Sequence, residues 1–282
     1  MATEKDLPHR TWSVLRDLWL EHIPPDLTPS DINALSRVVD SSGSPEDKST
    51  IPLVVGLREQ ALSDALFMRA KSLYCIGCGT KSNGEGFSTW SSMTMYDACF
   101  FSAKAFCYLL GVRDLSRDSR VYTDLFFREY KKGKLISDGH RLLILKERLT
   151  HSSLWKIFPR LIRTFTLDLE DFHERVLELR RFDFEGFSQE RNRVLYKPYS
   201  WSREDNIGIS DLDVRVSYAE NYNFIYGFNK PAEYYSKYYF IAVAVNNLLD
   251  FLIRDLGELA PALTFELETR PGPRAMTTFA MT

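Results

Sequence analysis

No run of apolar residues in this chain approaches the roughly 20 that a bilayer-spanning helix needs, so a membrane span is not expected. The opening residues "MATEKDLPHRTW" lack the apolar core of a signal peptide. Cysteine is scarce: four residues in 282 cannot staple a chain of this length, and a disulfide framework is not expected. Charge of one sign is also missing. The formal net charge is -2, which argues against a globally basic nucleic-acid binder and against a disordered acidic chain. No P-loop, GxGxxG, GxSxG or HExxH pattern occurs, and neither an internal repeat nor a low-complexity tract is visible. These absences leave a cytoplasmic protein with no membrane partner and no cofactor as the expectation.

What the chain does have is apolar material. Hydrophobic residues make up 44% and aromatic ones 13%, enough for a substantial buried core. Charge is unevenly spread: residues 1–50 hold 5 Lys/Arg against 9 Asp/Glu, whereas residues 113–165 hold 13 against 6. A local basic excess of this kind can attract phosphates, although long basic side chains on a solvated surface give the same signature.

Periodicity predicts a mainly α protein. Short helices are expected over 10–23 and 28–40, followed by a polar linker at 40–50. Leu57, Ala61, Leu62, Ala65, Leu66, Ala70 and Leu73 recur at helical spacing within a helix over 52–79. Residues 88–112 begin at a Ser/Thr cap and end at Gly111, and between Met93 and Leu110 their only charges are Asp97 and Lys104. A helix this apolar belongs in the centre of a bundle. Around 120–146, β-branched and aromatic residues flank "KKGK", which points to a small β-hairpin insertion. Further helices are expected over 152–165, with Pro159 kinking or breaking it, then 168–182, 184–196 and 231–259. The organisation expected is an N-terminal helical extension and linker (1–50), a helical domain (51–260) with a basic insertion at 113–150, and a C-terminal tail (261–282).

One residue breaks the pattern. On a helical wheel of 184–197, Phe184, Phe187 and Leu195 share a side, and Arg191 lies among them. Asn192 and Tyr196 occupy the adjoining shoulder. An arginine there must pair with a carboxylate such as Asp97, snorkel outward, or face a cleft for an anionic ligand.

Arg191–Asn192, three further residues and the polar ring of Tyr196 resemble the active-site motif of the HEPN superfamily, which reads Arg, a polar residue, three variable residues, then His. The helix "YDACFFSAKAFCYLLGV" is similar to a core helix of the same superfamily. The resemblance covers fragments of 52–112 and 152–258. It implies an HEPN-like helical bundle that pairs its motifs across a homodimer. It also implies metal-independent RNA cleavage in a toxin or antiviral-defence system, with an antitoxin or defence-system partner protein. Arg191 would then stabilise phosphate charge in the transition state, and Asn192 would orient the site. Tyr196 stands where the family has histidine, and a phenol with a reference pKa of about 10 is a poor general base at neutral pH. It can still donate a hydrogen bond or stack on a base. A catalytically inactive scaffold subunit is the alternative, and a nucleotide pocket closed by Arg191 is a third reading.

Other candidates carry less. Cys75 and Cys78 supply half of a zinc site with no second half nearby, and buried cysteines are the plainer account of all four. Glu170 and His173 have the spacing of half a di-iron site, again without a partner motif. His140 and His151 lie in the basic region, where they could act on an RNA from another element. Tyr235, Tyr238 and Tyr239 are expected to pack the bundle with hydroxyls at its edge. The apolar helices 88–112 and 231–259 offer more hydrophobic surface than one small bundle buries, which also predicts a homodimer.

Overall fold

The structure is a computed structural model that describes residues 8, 10–21, 50–53, 57–85, 88–114, 121–144, 151–167, 176–177, 179–184, 186–196 and 230–259. Helix accounts for 74% of the described residues, so the protein is mainly α with a small sheet. The elements run β1 (Arg10–Thr11), α1 (Trp12–Leu20), β2 (Thr50–Pro52), α2 (Leu57–Gly84), α3 (Ser88–Leu109), β3 (Val112–Asp114), β4 (Val121–Lys131), β5 (Lys134–Ile144), α4 (His151–Thr164), β6 (Phe165–Thr166), α5 (Phe187–Tyr196) and α6 (Lys230–Leu259). The expected helix at 28–40, most of the 40–50 linker and the C-terminal tail lie outside the described residues.

The chain divides into two compact units. The first takes residues 1–68, 103–184 and 248–271, and the second 69–102, 185–247 and 272–282. The N-terminal helix α1 falls in the same unit as the four-stranded sheet.

In the first unit, β4 and β5 form the expected hairpin. Its two-residue turn places Lys132 at φ 49 and Gly133 at φ 75, while Lys131 pairs with Lys134. Two successive positive φ values match the right-handed twist of the strands, and glycine takes the second at no steric cost. The sheet is larger than the sequence suggested. Thr50, read as the end of a polar linker, and Pro52, read as the start of a helix, belong to β2 on β5, so α2 starts at Leu57 and not at 52; β3 flanks β4, giving the antiparallel order β2-β5-β4-β3.

A bulge in the hairpin explains several charges of the basic region. Asp124 pairs with Arg141 and Phe127 with Gly139, so Leu125 and Phe126 together oppose His140. The displaced backbone is satisfied elsewhere. Leu125 N–H donates to the Gly111 carbonyl at 2.8 Å, and Phe126 N–H to Asp124 Oδ1 at 3.2 Å. The Leu125 carbonyl accepts from Arg58 Nε at 2.9 Å and from His140 Nδ1 at 3.1 Å. Arg58, 3% exposed, also donates to Asp138 at 3.0 Å and lies 4.7 Å over the Phe126 ring. Burial lowers its pKa from the ordinary value, against the opposing pull of Asp138. His140 is fully buried in this network. It therefore holds a bulge, and the expectation that it could act on RNA is corrected. Arg113 with Asp64, and Arg128 with Glu21 and Asp138, neutralise more of the local positive charge.

The core of this unit is aromatic. Phe106 meets Phe158 and Phe165 edge-on at 5.6 and 5.5 Å, and Trp155 stacks on Phe184 at 5.9 Å. Trp19 meets Phe126 at 4.6 Å while its indole N–H donates to the Leu109 carbonyl at 2.9 Å. Pro159 does not break α4, which runs from His151 to Thr164. An internal proline costs about 3 kcal/mol. Burial of Trp155, Ile157, Phe158, Leu161 and Ile162 on one face, at roughly 1.5–3 kcal/mol each, outweighs it. Helix α3 ends as expected at Gly111, whose φ of +77 and position 2.6 Å (from a built Cβ) to the Phe126 ring leave no room for a side chain.

Candidate functional site

The second unit contains every described part of the Arg191 cluster, on α3, α5 and the first half of α6. The sequence expectation of a helix from 184 is shortened, because Gly186 takes a φ of +86 and α5 starts at Phe187. Phe184 is therefore outside the helix. The first turn closes with Glu190 N–H donating to the Gly186 carbonyl at 2.8 Å.

Aromatic packing fixes the floor of the cluster. Phe187, Tyr96 and Tyr238 are fully buried. The Tyr238 ring meets Tyr96 and Phe187 edge-on, each at 5.4 Å. Three further hydrogen bonds hold the helices in place. Cys99 S–H donates to the Tyr238 carbonyl at 2.9 Å, and Asn246 Nδ2 donates to Ser72 Oγ at 2.7 Å, which in turn donates to the Ala98 carbonyl at 2.7 Å.

Charge on this floor is sorted in a definite way. Glu190 accepts from Lys237 Nζ at 2.8 and 3.1 Å and from the Tyr238 hydroxyl at 3.1 Å. Burial and the Glu190 charge raise the Tyr238 pKa, so its phenol stays protonated and donates. Lys237 also lies 4.4 Å over the Phe187 ring. The carboxylate next to Arg191 in sequence is thus already engaged.

Arg191 is only partly exposed, yet it makes no ion pair among the described residues. Its guanidinium sits 5.7 Å over the Tyr96 ring, and Nη1 donates to Asn192 Oδ1 at 3.3 Å. Its Nε is buried without a hydrogen-bond partner. The expected carboxylate, Asp97, feels Arg191 electrostatically, but burial is the larger effect and raises its pKa above the ordinary value. No hydrogen bond holds Asp97 among the described residues. The two are therefore an arginine whose buried Nε has no hydrogen-bond partner and a half-buried carboxylate that gains a proton more readily than usual. A raised carboxylate pKa is a property that general bases and acids share with carboxylates that are simply buried.

Of the three site residues expected from the sequence, Arg191 and Asn192 are brought together, and Asn192 is exposed. Tyr196 is the last residue of α5, and its side chain lies outside the described residues. Asp97 is the residue that the motif does not supply. Its signal in the sequence is a lone carboxylate in an apolar helix, which by itself points only to a partner for Arg191.

The remaining candidates fall away from this cluster or are inert. Burial, helped by the Asp97 charge, pushes the Cys75 thiol up to about 11, so it is protonated at neutral pH. Cys99 is raised further by complete burial. No group of three or more metal-binding side chains occurs among the described residues. Glu170 and His173 lie outside them, as does the side chain of His151. Tyr238 packs the interior as expected, whereas Tyr239 stacks on Tyr235 at 6.0 Å and is 41% exposed. No protein-family model, no curated protein and no solved structure matches this chain.

Proposed function

We propose that this protein is an HEPN-like RNA-binding protein that cleaves RNA without a metal ion, as part of a toxin or antiviral-defence system. The observation that supports this reading is Arg191. A cation set over an aromatic floor, with a buried donor unused and its neighbouring carboxylate taken by Lys237 and Tyr238, suits an incoming phosphate. Asp97 supplies what Tyr196 lacks. In the proposed step Asp97 takes the proton of a ribose 2′-hydroxyl, the 2′-oxygen bonds to the adjacent phosphorus, and the bond to the 5′-oxygen breaks. Arg191 stabilises the charge on the phosphoryl oxygens, Asn192 keeps the guanidinium oriented, and the departing 5′-oxygen takes a proton from the Tyr196 hydroxyl or solvent. The products are a 2′,3′-cyclic phosphate and a 5′-hydroxyl.

The test is cleavage of single-stranded RNA in EDTA by wild type, Arg191→Ala and Asp97→Asn. Cleavage by wild type alone, with those ends, supports the reading. RNA that is neither bound nor cut by the wild type would end it. A second reading, an inactive relative that binds as a scaffold for a partner protein, is favoured by tyrosine in the position of the family's histidine. It expects RNA or protein binding with no cleavage by any variant. A homodimer remains part of the first reading.

A further inference from the structure

The far end of the β4–β5 hairpin is built unlike the rest of the sheet. Residues 123–126 and 139–140 are buried in the first unit, whereas residues 129–136 are all exposed. Within that short stretch Tyr130, Leu135 and Ile136 are 59%, 49% and 54% exposed. Tyr130 pairs directly with Leu135, and cross-strand partners share a face, so these two side chains stand together. The next pair, Lys131 with Lys134, falls on the other face, and Lys132 sits in the turn. Ile136 is the extra residue of a second bulge between Glu129 and Tyr130. None of the three lysines makes an ion pair or side-chain hydrogen bond among the described residues. Arg128, the nearest arginine, is occupied by Glu21 and Asp138.

We propose that this hairpin tip docks the protein on an anionic lipid surface. Lysines alone would read as protection of a strand end against pairing. They do not account for three large apolar side chains held in water beside them. An RNA partner would use the charge and the tyrosine ring, but gains little from exposed leucine and isoleucine, and the tip offers no available arginine. A headgroup layer uses all six residues. Tyr130 suits the interface, Leu135 and Ile136 enter the acyl boundary, and the lysines reach phosphates while their stems cover apolar surface. This inference does not rest on the Arg191 site, and it requires no membrane-spanning helix.

The experiment is co-sedimentation of the full chain with phosphatidylserine-containing vesicles and with pure phosphatidylcholine vesicles. Wild type is expected to pellet with the anionic vesicles only. Replacing Lys131, Lys132 and Lys134 by Ala should lower that partition on the order of a hundredfold, since each basic residue near such a surface contributes about fivefold. Tyr130→Ser with Leu135→Ser and Ile136→Ser should make the remaining binding collapse in 0.5 M salt, where the wild type still pellets. Both variants keep the wild-type melting temperature, because every altered side chain is exposed. Equal binding to neutral vesicles, no binding to either, or undiminished binding by the lysine variant overturns the proposal. So does loss of binding to an oligoribonucleotide by the lysine variant when vesicles are never bound, which would assign the tip to RNA.

Discussion

At the scale of single residues, Asp97 and Arg191 make opposite demands on stability and function. Burial raises the folded-state pKa of Asp97 above its unfolded value, so the folded protein holds the proton more tightly. Stability associated with this group is then greatest below the ordinary carboxylate range and declines as pH rises through the raised value. Asp97→Asn cannot lose a proton. The variant is expected to melt higher than wild type at pH 7, to lose that advantage at pH 4, and to lose cleavage at every pH. Thermal melts at the two pH values check it, and an Asn variant less stable at pH 7 would show that the carboxylate is a structural partner of Arg191. For Arg191 the expectation runs the other way. A structural arginine in a buried pair would cost about 3–5 kcal/mol on removal, whereas one held for a ligand costs little. Arg191→Ala should therefore keep the melting temperature within about 2 °C, as expected for a change under about 0.5 kcal/mol, while abolishing RNA binding or cleavage. The singular place of Arg191 was legible because a cation at an apolar helical position is conspicuous, and Asn192 lies beside it. The role given to Asp97 was not, because burial of one carboxylate depends on which helices pack over it.

At the scale of elements, the readable parts are those whose local chemistry and tertiary setting agree. The "KKGK" turn specified its hairpin because Gly133 tolerates positive φ, and Gly111 marked the end of α3 for the same reason. The strand β2 was not readable. Three residues carry no periodicity, and their conformation comes from pairing with β5. Of the two outcomes expected at Pro159 the break does not occur, since the packed face of α4 outweighs a local cost. The β4 bulge shows the same dependence on tertiary context, and its chemistry makes a prediction. Asp138→Ala leaves Arg58 buried with only the Leu125 carbonyl and the Phe126 ring as named partners, and should cost about 3 kcal/mol. Arg58→Met keeps an apolar stem against Phe126, leaves Asp138 its contact with Arg128, and leaves the Leu125 carbonyl its bond from His140. It should cost less. Urea unfolding of both variants decides the order, and a larger loss for Arg58→Met would mean that the guanidinium's bond to the carbonyl outweighs its burial.

At the scale of the whole molecule, the apolar surface left over is the quantity to explain. Helix α3 is buried except along one face, where Trp90, Thr94, Asp97, Phe101 and Lys104 are less covered, and α6 has a wider open face. Its buried residues, including Tyr238, Ile241, Ala242, Val245, Leu248, Leu249, Leu252 and Leu256, make a stripe, and Tyr239 and Phe240 face outward at 41% and 44% exposure. In the same unit Tyr74 is 58% exposed and Trp90 51%. Single exposed aromatics are ordinary, but several large ones in a unit of this size make it a candidate for association. Aromatic residues are also the side chains most enriched at interface centres. The proposed site gives that association a function, since paired motifs would present two Arg191 residues to one RNA. Light scattering is therefore expected to show a dimer at micromolar concentration. Trp90→Glu and Phe240→Glu should each shift the molecule toward monomer while leaving circular dichroism unchanged, because both side chains are about half exposed in the single chain. If those aromatic faces form the interface, cleavage should fall with dimer population, and raising the concentration of a weakened variant should restore it. A wild-type protein that scatters as a monomer at 100 micromolar would remove the paired site, and any RNA cleavage would then have to come from one Arg191 acting alone.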